Sequence, residues 1–225
     1  MTTTTKNRDV AVAGATGLVG RNLVQRLCAD PSVATVHALA RRDLDVADAK
    51  LVLHKVDFST LPELPPLDEV YLALGTTIKT AGSQAAFRAV DLDANLAVAR
   101  AAHAAGARRI GLVSALGANA GSRIFYNRIK GELEQVLATL DLEALVIARP
   151  SLLRGDRAGL GQAERPGEVW GARLDALLRP VIPRRLRAID AADVAASLAQ
   201  QVPRAQGRVV LSSDQMQGAS QRSTA

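Results

Sequence analysis

Short apolar runs bounded by turn residues alternate along the chain with stretches whose apolar positions recur at helical spacing. "DVAVAGATG" reads as a strand entering glycines, and "LVGRNLVQRLCAD" as a helix that stops before Pro31. "ATVHALA", "KLVLHKVDF" and "EVYLALGTT" give the second, third and fourth strands, the first two of them joined by the polar "RRDLDVADA". The prolines of "STLPELPPLD" limit any helix before the fourth strand to a turn. "SQAAFRAVDLDANLAVARAAHAAG" then predicts one long helix with a glycine stop at Gly106. A fifth strand, "RRIGLVSAL", leads through the loop "GANAGS" into the helix "RIFYNRIKGELEQVLATL", and a sixth strand, "LEALVIARP", ends at Pro150. These strands are apolar enough to be covered on both faces. With the repeated strand–helix alternation, that predicts an α/β fold built on a parallel, doubly wound sheet.

The rhythm breaks after Pro150. "SLLRGDRAGLGQAERPGE" is rich in Gly and Arg and reads as a loop over a site. Two helices follow, "VWGARLDALLRP" and "AADVAASLAQQV", and then a last strand, "GRVVLSS". The expected organisation is a single domain over residues 8–213, with 151–205 as an embedded substrate or lid portion and flexible tails at 1–7 and 214–225. A chain of 225 residues, 48% of them hydrophobic, is long enough to bury one large core.

Composition narrows the function classes. The sequence contains no run of ~20 apolar residues that could span a bilayer, and "MTTTTKNRD" lacks the apolar core of a secretory signal. A soluble protein with no membrane partner is expected. Cys28 is the only cysteine, which excludes an intramolecular disulfide and a thiolate cluster and fits a reducing cytoplasm. His37, His54 and His103 lie far apart in sequence without ligand spacing, so no metal is expected. The net charge of +6 raises the prospect of an anionic partner. Aromatic residues are only 3% of the chain and the arginines are scattered, so nucleic acid is not the expected partner.

One anion has an obvious seat. Gly14-Ala-Thr-Gly17-Leu-Val-Gly20 stands where the first strand meets the first helix, as a dinucleotide site requires. Gly14 permits the tight turn, Gly17 lets backbone approach a pyrophosphate, and Gly20 lets the helix pack closely. Thr16, Leu18 and Val19 complete the cradle, with the helix N–H groups facing the anion. About 20 residues further on, Arg41 and Arg42 stand at the end of the second strand. A guanidinium there matches the 2′-phosphate of NADP, whereas an acidic residue would accept from the ribose of NAD. NADP(H) is the expected cofactor, with NAD(H) the alternative if Asp43 folds toward the ribose. Further along, "YNRIK" sets Tyr126 and Lys130 on one helix face, one turn apart.

"GATGLVG", "VDF", "LALGTT", "LVSALGA", "YNRIK" and "ARPSLL" occur here in the order found in short-chain dehydrogenases/reductases of the extended and atypical kind. "LGTTIKTAG" and "RPGEVW" most resemble the branch of the Tat-interacting oxidoreductase-like protein and its bacterial relatives. The resemblance spans about residues 8–200. It implies a Rossmann sheet of order 3-2-1-4-5-6 with a seventh strand. By the same resemblance Asp57 and the Phe58 backbone contact adenine, while Leu74, Gly75 and Thr76 line the adenosine and its ribose. Pro150, Ser151, Leu152 and Leu153 flank the nicotinamide, and Ser114, Tyr126 and Lys130 form the catalytic set, the last two also touching the cofactor.

That set has a chemical logic of its own. Reducing a carbonyl needs a hydride and a proton, and a phenol delivers the proton well only if its ordinary pKa of about 10 is lowered. Lys130, one turn away and positively charged, favours the phenolate and can bind the nicotinamide ribose hydroxyls. Ser114, ending the fifth strand, would orient the substrate oxygen. The structural alternatives are a serine that merely ends a strand, a tyrosine packed on the core, and a solvated lysine supported by Glu134 at i,i+4. Asp91 stands where many relatives carry a relay asparagine, and Asn95 is one turn later.

The leading expectation is therefore an NADPH-dependent oxidoreductase that reduces a small carbonyl or oxidises the alcohol, as a monomer or homodimer. The second is a non-catalytic NADP(H)-binding regulatory or redox-sensing protein. An epimerase or dehydratase using NAD transiently is disfavoured by Arg41 and Arg42 and by the short C-terminal portion. The segment Ser151 to Pro183, with its leucines, arginines and Trp170, is expected to form an apolar pocket lid with an anionic handle.

Overall fold

The computed structural model describes residues 7–155 and 183–222. Seven strands form one parallel sheet in the order β3-β2-β1-β4-β5-β6-β9. They are β1 (Arg8–Ala13), β2 (Val33–Ala40), β3 (Leu51–Lys55), β4 (Glu69–Leu72), β5 (Arg109–Val113), β6 (Ala144–Arg149) and β9 (Gly207–Ser212). The doubly wound sheet and its seventh strand are as the pattern and the resemblance implied. A separate two-residue parallel pair, β7 (Leu153–Arg154) with β8 (Ile189–Asp190), was not foreseen, being too short to leave a periodic signal.

Alternation along β1 explains the two layers. Val10 and Val12 point to a core shared with Leu23, Val24 and Leu27 of α1 (Leu18–Ala29) and with Val194 and Leu198 of α6 (Ala191–Gln201). Ala11 and Ala13 point to the opposite core, where Phe87, Val98, Ile129 and Leu133 pack. The helices of that face are α2 (Ile78–Ala81), α3 (Gln84–Arg88), α4 (Asn95–Ala104) and α5 (Phe125–Leu137). Since all seven strands run the same way, every strand's C-terminal end reaches one edge of the sheet, and the order reverses between β1 and β4.

Three expectations need correction. The long alanine-rich helix is interrupted, with a π-helical segment over Ala89–Ala94 between α3 and α4. The buried Asn95 amide donates to the Val90 and Asp91 carbonyls of the wider turn and to the Leu74 carbonyl of the loop after β4, at 3.2 Å each. The tail expected to fray from Asp214 instead forms α7 (Ser213–Met216) and α8 (Ala219–Arg222), with Met216 and Ala219 buried. Asp193 of α6 accepts from the backbone N–H groups of Gly218 and Ser220 and from the Ser220 hydroxyl, tying that tail down. His37 and His54, distant in sequence, meet across β2 and β3 with Nδ1 and Nε2 2.9 Å apart. The expected helix "VWGARLDALLRP" and most of the expected lid, Trp170 included, lie outside the described residues.

Candidate functional site

At the switch point the chain leaves β1 through Gly14, whose φ of +83° suits only glycine readily. A Cβ there would also stand 2.5 Å from the Ala73 carbonyl oxygen, so the turn is pressed against the end of β4. Gly17 donates its N–H to the Gly14 carbonyl at 2.9 Å and occupies the N-cap of α1 without a side-chain cap. Gly20 lies so close to this turn that a Cβ would fall 2.1 Å from the Gly14 carbonyl oxygen. The first α1 residue whose N–H bonds back to this turn is Arg21, to Gly17. The N–H groups of Leu18, Val19 and Gly20 precede the helical ladder and face outward from the helix end, beside Thr16. No acidic residue stands in that first turn. This is an anion cradle, and a dinucleotide pyrophosphate fits it.

The neighbouring strand ends add the rest of the edge. Arg41 and Arg42 follow β2 and are both exposed. Asp43, the residue that would favour NAD, is paired with Lys55 at 2.7 Å on an exposed surface. Asp57 follows β3; hydrogen bonds from Ser59, backbone first and then side chain, lower its carboxyl below the ordinary 3.8, with a smaller contribution from Arg41. Phe58 is partly buried against the α3–α5 core. Leu74, Gly75 and Thr76 leave β4, and the Thr76 N–H donates to Asp91 Oδ2 at 2.8 Å.

The three residues of the catalytic expectation are less of a unit than the sequence suggested. Tyr126 and Lys130 do stand one turn apart on α5. The Tyr126 ring packs at 5.5 Å from Phe87 of α3, and the ring is partly buried. Lys130 is 5% exposed, so it is no solvated helix lysine, and its Nζ lies 2.7 Å from Oδ1 of Asp91, itself 1% exposed. That contact is close by distance without the alignment of a hydrogen bond. A Cβ on Gly75 would come within 3.4 Å of Asp91 Oδ1 and 3.8 Å of Lys130 Nζ, which puts this buried pair directly under the loop after β4.

Glu134 does not support Lys130. It turns the other way, is buried, and accepts the Ser114 hydroxyl at 2.6 Å. Arg149 clamps the same carboxylate with two hydrogen bonds of 3.0 and 2.5 Å, and Arg208 of β9 approaches it at 3.3 Å. Those bonds to Glu134, more than the opposing effect of burial, raise the Arg149 guanidinium above its ordinary value. A serine carries one proton, so Ser114 as placed is a donor to Glu134 and offers only lone pairs to anything else. Neither Glu134, Arg149 nor Arg208 was singled out for this task in the sequence. The signal for the first two was there: a glutamate two turns after Tyr126 and an arginine before the strand-ending proline.

The segment after β6 is held from below. Leu116 donates its N–H to the Pro150 carbonyl at 2.8 Å, joining the loops after β5 and β6. The Ser151 hydroxyl donates to the Arg187 carbonyl and sits 2.9 Å from Ser213 Oγ. Leu152 is exposed and Leu153 pairs with Ile189. No group of three or more His, Cys, Asp or Glu residues that could hold a metal occurs among the described residues, and among them no helix is long and apolar enough to cross a membrane.

Comparison with known proteins agrees with this edge as a nucleotide site. Residues 14–203 match a family described as NAD(P)H-binding. Among curated proteins, the chain is 36% identical over 198 residues to "Protein FMP52, mitochondrial" of Candida albicans, covering 81% of this chain and 82% of that one. The protein of that name from Coccidioides immitis is 37% identical over 163 residues, 65% of this chain and 66% of its own. Among solved structures, MoeE5 in complex with UDP-glucose and NAD superposes with a TM-score of 0.67 at 20% identity, over 90% of this chain and 75% of that one. A short chain dehydrogenase family protein from Francisella tularensis gives 0.67 at 12% identity, over 93% and 98%. At such identities these structures establish the fold. The curated relatives are named as mitochondrial, which overturns the expectation of a cytoplasmic protein drawn from the lone cysteine; one reduced thiol does not distinguish compartments. By the match over 14–203 and by these relatives, the chain belongs to the NAD(P)H-binding family of Rossmann-fold proteins.

Proposed function

We propose that the protein is an NADP(H)-dependent oxidoreductase of the short-chain dehydrogenase/reductase type, acting on a small carbonyl or the corresponding alcohol, in the branch that the Tat-interacting oxidoreductase-like protein typifies. The observation that carries the reading is the seat of Lys130. It is buried beneath Gly75 at the cofactor edge and one turn from Tyr126, where a helix lysine with no task would be solvated. Bound at the glycine turn, the nicotinamide dinucleotide supplies or accepts a hydride.

The chain's own residues do the rest. Gly14 to Gly20 hold the pyrophosphate, and Arg41 and Arg42 favour the 2′-phosphate, Asp43 being engaged by Lys55. Tyr126 Oη gives a proton to the substrate oxygen in reduction and takes it back in oxidation. Lys130 faces the cofactor ribose and supplies positive charge to that proton transfer. Pro150 to Leu153 wall the nicotinamide side, tied to Arg187 and Ser213. Ser114, its proton held by Glu134, offers only its lone pairs to a substrate, so the substrate proton is exchanged with Tyr126 alone.

A second reading rests on two specific contacts. Asp91 neutralises Lys130, and Glu134 occupies Ser114, so the same site could bind NADP(H) and report its presence without turnover. The test separates the two. Wild-type protein and Tyr126→Phe are titrated with NADPH by calorimetry, then assayed for NADPH consumption with a panel of aliphatic, aromatic and dicarbonyl substrates. Equal cofactor affinity with turnover that falls at least about 100-fold in Tyr126→Phe is expected. Equal affinity with no consumption by either protein across the panel would transfer the assignment to the cofactor-sensing reading.

A further inference from the structure

We infer that Arg21 is a third cation of the cofactor site, binding the adenosine 2′-phosphate together with Arg41 and Arg42 and setting the choice of NADP over NAD; this rests on the NADP(H) reading above. Arg21 is partly buried on the first turns of α1, and its Nε is shielded from solvent without a hydrogen-bond partner among the described residues. A guanidinium N–H buried without an acceptor is unfavourable by itself, so an acceptor is wanted there.

The position of α1 says where that acceptor comes from. Arg21 and Cys28 are seven residues apart, two helical turns, and therefore share a flank. The Cys28 thiol, pushed up to about 11 by burial first and by Asp48 second, marks what that flank faces, and Lys50 also acts on it. Leu44 and Val46 pack on the same core as Val24, Leu27 and Cys28. The connection from β2 to β3 thus descends along this flank of α1, from Arg41 at the sheet's C-terminal edge toward Lys50, whose Nζ bonds the Asp30 carbonyl at 2.7 Å. Two turns above Cys28, Arg21 stands beside the upper end of that connection, where Arg41 and Arg42 begin it.

Direction follows from helix geometry. Side chains on an α-helix lean toward its N-terminus, so Arg21 covers the turn that carries the pyrophosphate cradle. That lean would set its guanidinium between the glycine turn and the arginine pair, on the side where an adenosine ribose would lie. An anion bearing oxygens in several directions, as a phosphate monoester does, can take hydrogen bonds from more than one guanidinium at once. The flexible exposed pair Arg41 and Arg42 would then supply charge, and Arg21, anchored on a helix, the fixed geometry.

The experiment is calorimetric titration of NADP⁺ and of NAD⁺ into the wild-type protein, Arg21→Ala and Arg21→Lys. The expected result is an NADP⁺ affinity about 30-fold weaker in Arg21→Ala, with NAD⁺ affinity unchanged within twofold. Arg21→Lys should recover part of the loss, because it restores charge without the fork. Retained NAD⁺ binding reports that each variant is folded. NADP⁺ affinity that survives in Arg21→Ala, or equal loss for both dinucleotides, overturns the inference and leaves the cofactor reading standing. Wild-type protein that binds NAD⁺ as tightly as NADP⁺ overturns both.

Discussion

Asp91 and Lys130 are a pair in which both charges are almost wholly removed from water and each is the other's compensation. Breaking such a pair from one side strands a charge in the interior, which typically costs about 3–5 kcal/mol. Lys130→Met should therefore lose stability by about that amount, since Asp91 would keep only the Thr76 N–H on its other oxygen. Asp91→Leu should do the same to Lys130. The double variant, with neither charge, should be clearly more stable than the sum of the two losses predicts. Urea unfolding of the four proteins in this cycle measures the coupling, and additive losses would show that the pair contributes nothing. The result also decides how Lys130 variants are to be read in activity assays: a lysine whose removal loosens the fold is a poor probe of chemistry, whereas Tyr126 packs by its ring, so Tyr126→Phe keeps the packing and removes only the hydroxyl.

At the level of elements, the π-helical segment Ala89–Ala94 is what brings Asp91 round to Lys130 and Thr76. Its integrity depends on Asn95, whose amide is shared among three carbonyl oxygens in a fully buried position. Asn95→Ala should cost about 1–3 kcal/mol, because it leaves buried acceptors unsatisfied. A lower urea midpoint with an unchanged slope is the expected signature; an unchanged midpoint would mean the segment finds other donors. Such a segment could not be read from sequence. The alanine-rich stretch has helical periodicity throughout, and one extra residue per turn leaves no compositional mark beyond the polar "DLDAN". The strands were legible for the opposite reason: each is a short apolar run, and the central ones, β1, β2, β4, β5 and β6, are covered on both faces, from which parallel order follows, while the edge strands β3 and β9 keep exposed positions. The glycine turn was legible because backbone demands at Gly14 and Gly20 exclude side chains. Within the candidate site, Tyr126 and Lys130 were legible from their spacing on one helix. The pairing of Asp91 with Lys130 was not foreseen, and Glu134, offered as support for Lys130, binds Ser114 instead, since each choice depends on which face of α5 meets which neighbour. The docked tail was missed because its short helices hold by Asp193 and a few buried contacts rather than by an apolar stripe.

Among the described residues, groups with shifted titration lie on several elements, His37 on β2, Asp30 after α1 and Asp193 on α6, so stability should fall in steps as pH falls. His37 is lowered below the ordinary 6.5 by burial first and by His54 of β3 second, with Asp9 of β1 opposing. A histidine lowered in the folded state favours the neutral form there, so its contribution is fully present above 6.5 and is lost as pH drops through the folded value. Below that point a charged His37 imidazolium stands 2.9 Å from the His54 ring nitrogen at the β2–β3 edge of the sheet. The carboxylates act later. Burial opposes charge on Asp193, but hydrogen bonds from Ser220 and Gly218 outweigh it; burial likewise opposes charge on Asp30, and Ser32, Arg8 and Lys50 outweigh that. Both are lowered below the ordinary 3.8, so their contributions are present above 3.8 and lost beneath it. Thermal unfolding scanned from pH 8 to pH 3 should accordingly show a plateau, a first decline beginning near 6.5 and a second beginning near 3.8. His37→Phe should flatten the first decline and leave the second, while Asp193→Asn should weaken the second and leave the first. A first decline unchanged in His37→Phe would place the neutral-range sensitivity elsewhere. If the histidine pair is its source, the β2–β3 edge loosens before the tail does, and because Arg41 and Arg42 leave from β2, NADP⁺ affinity should fall with the first decline and be insensitive to the release of the tail.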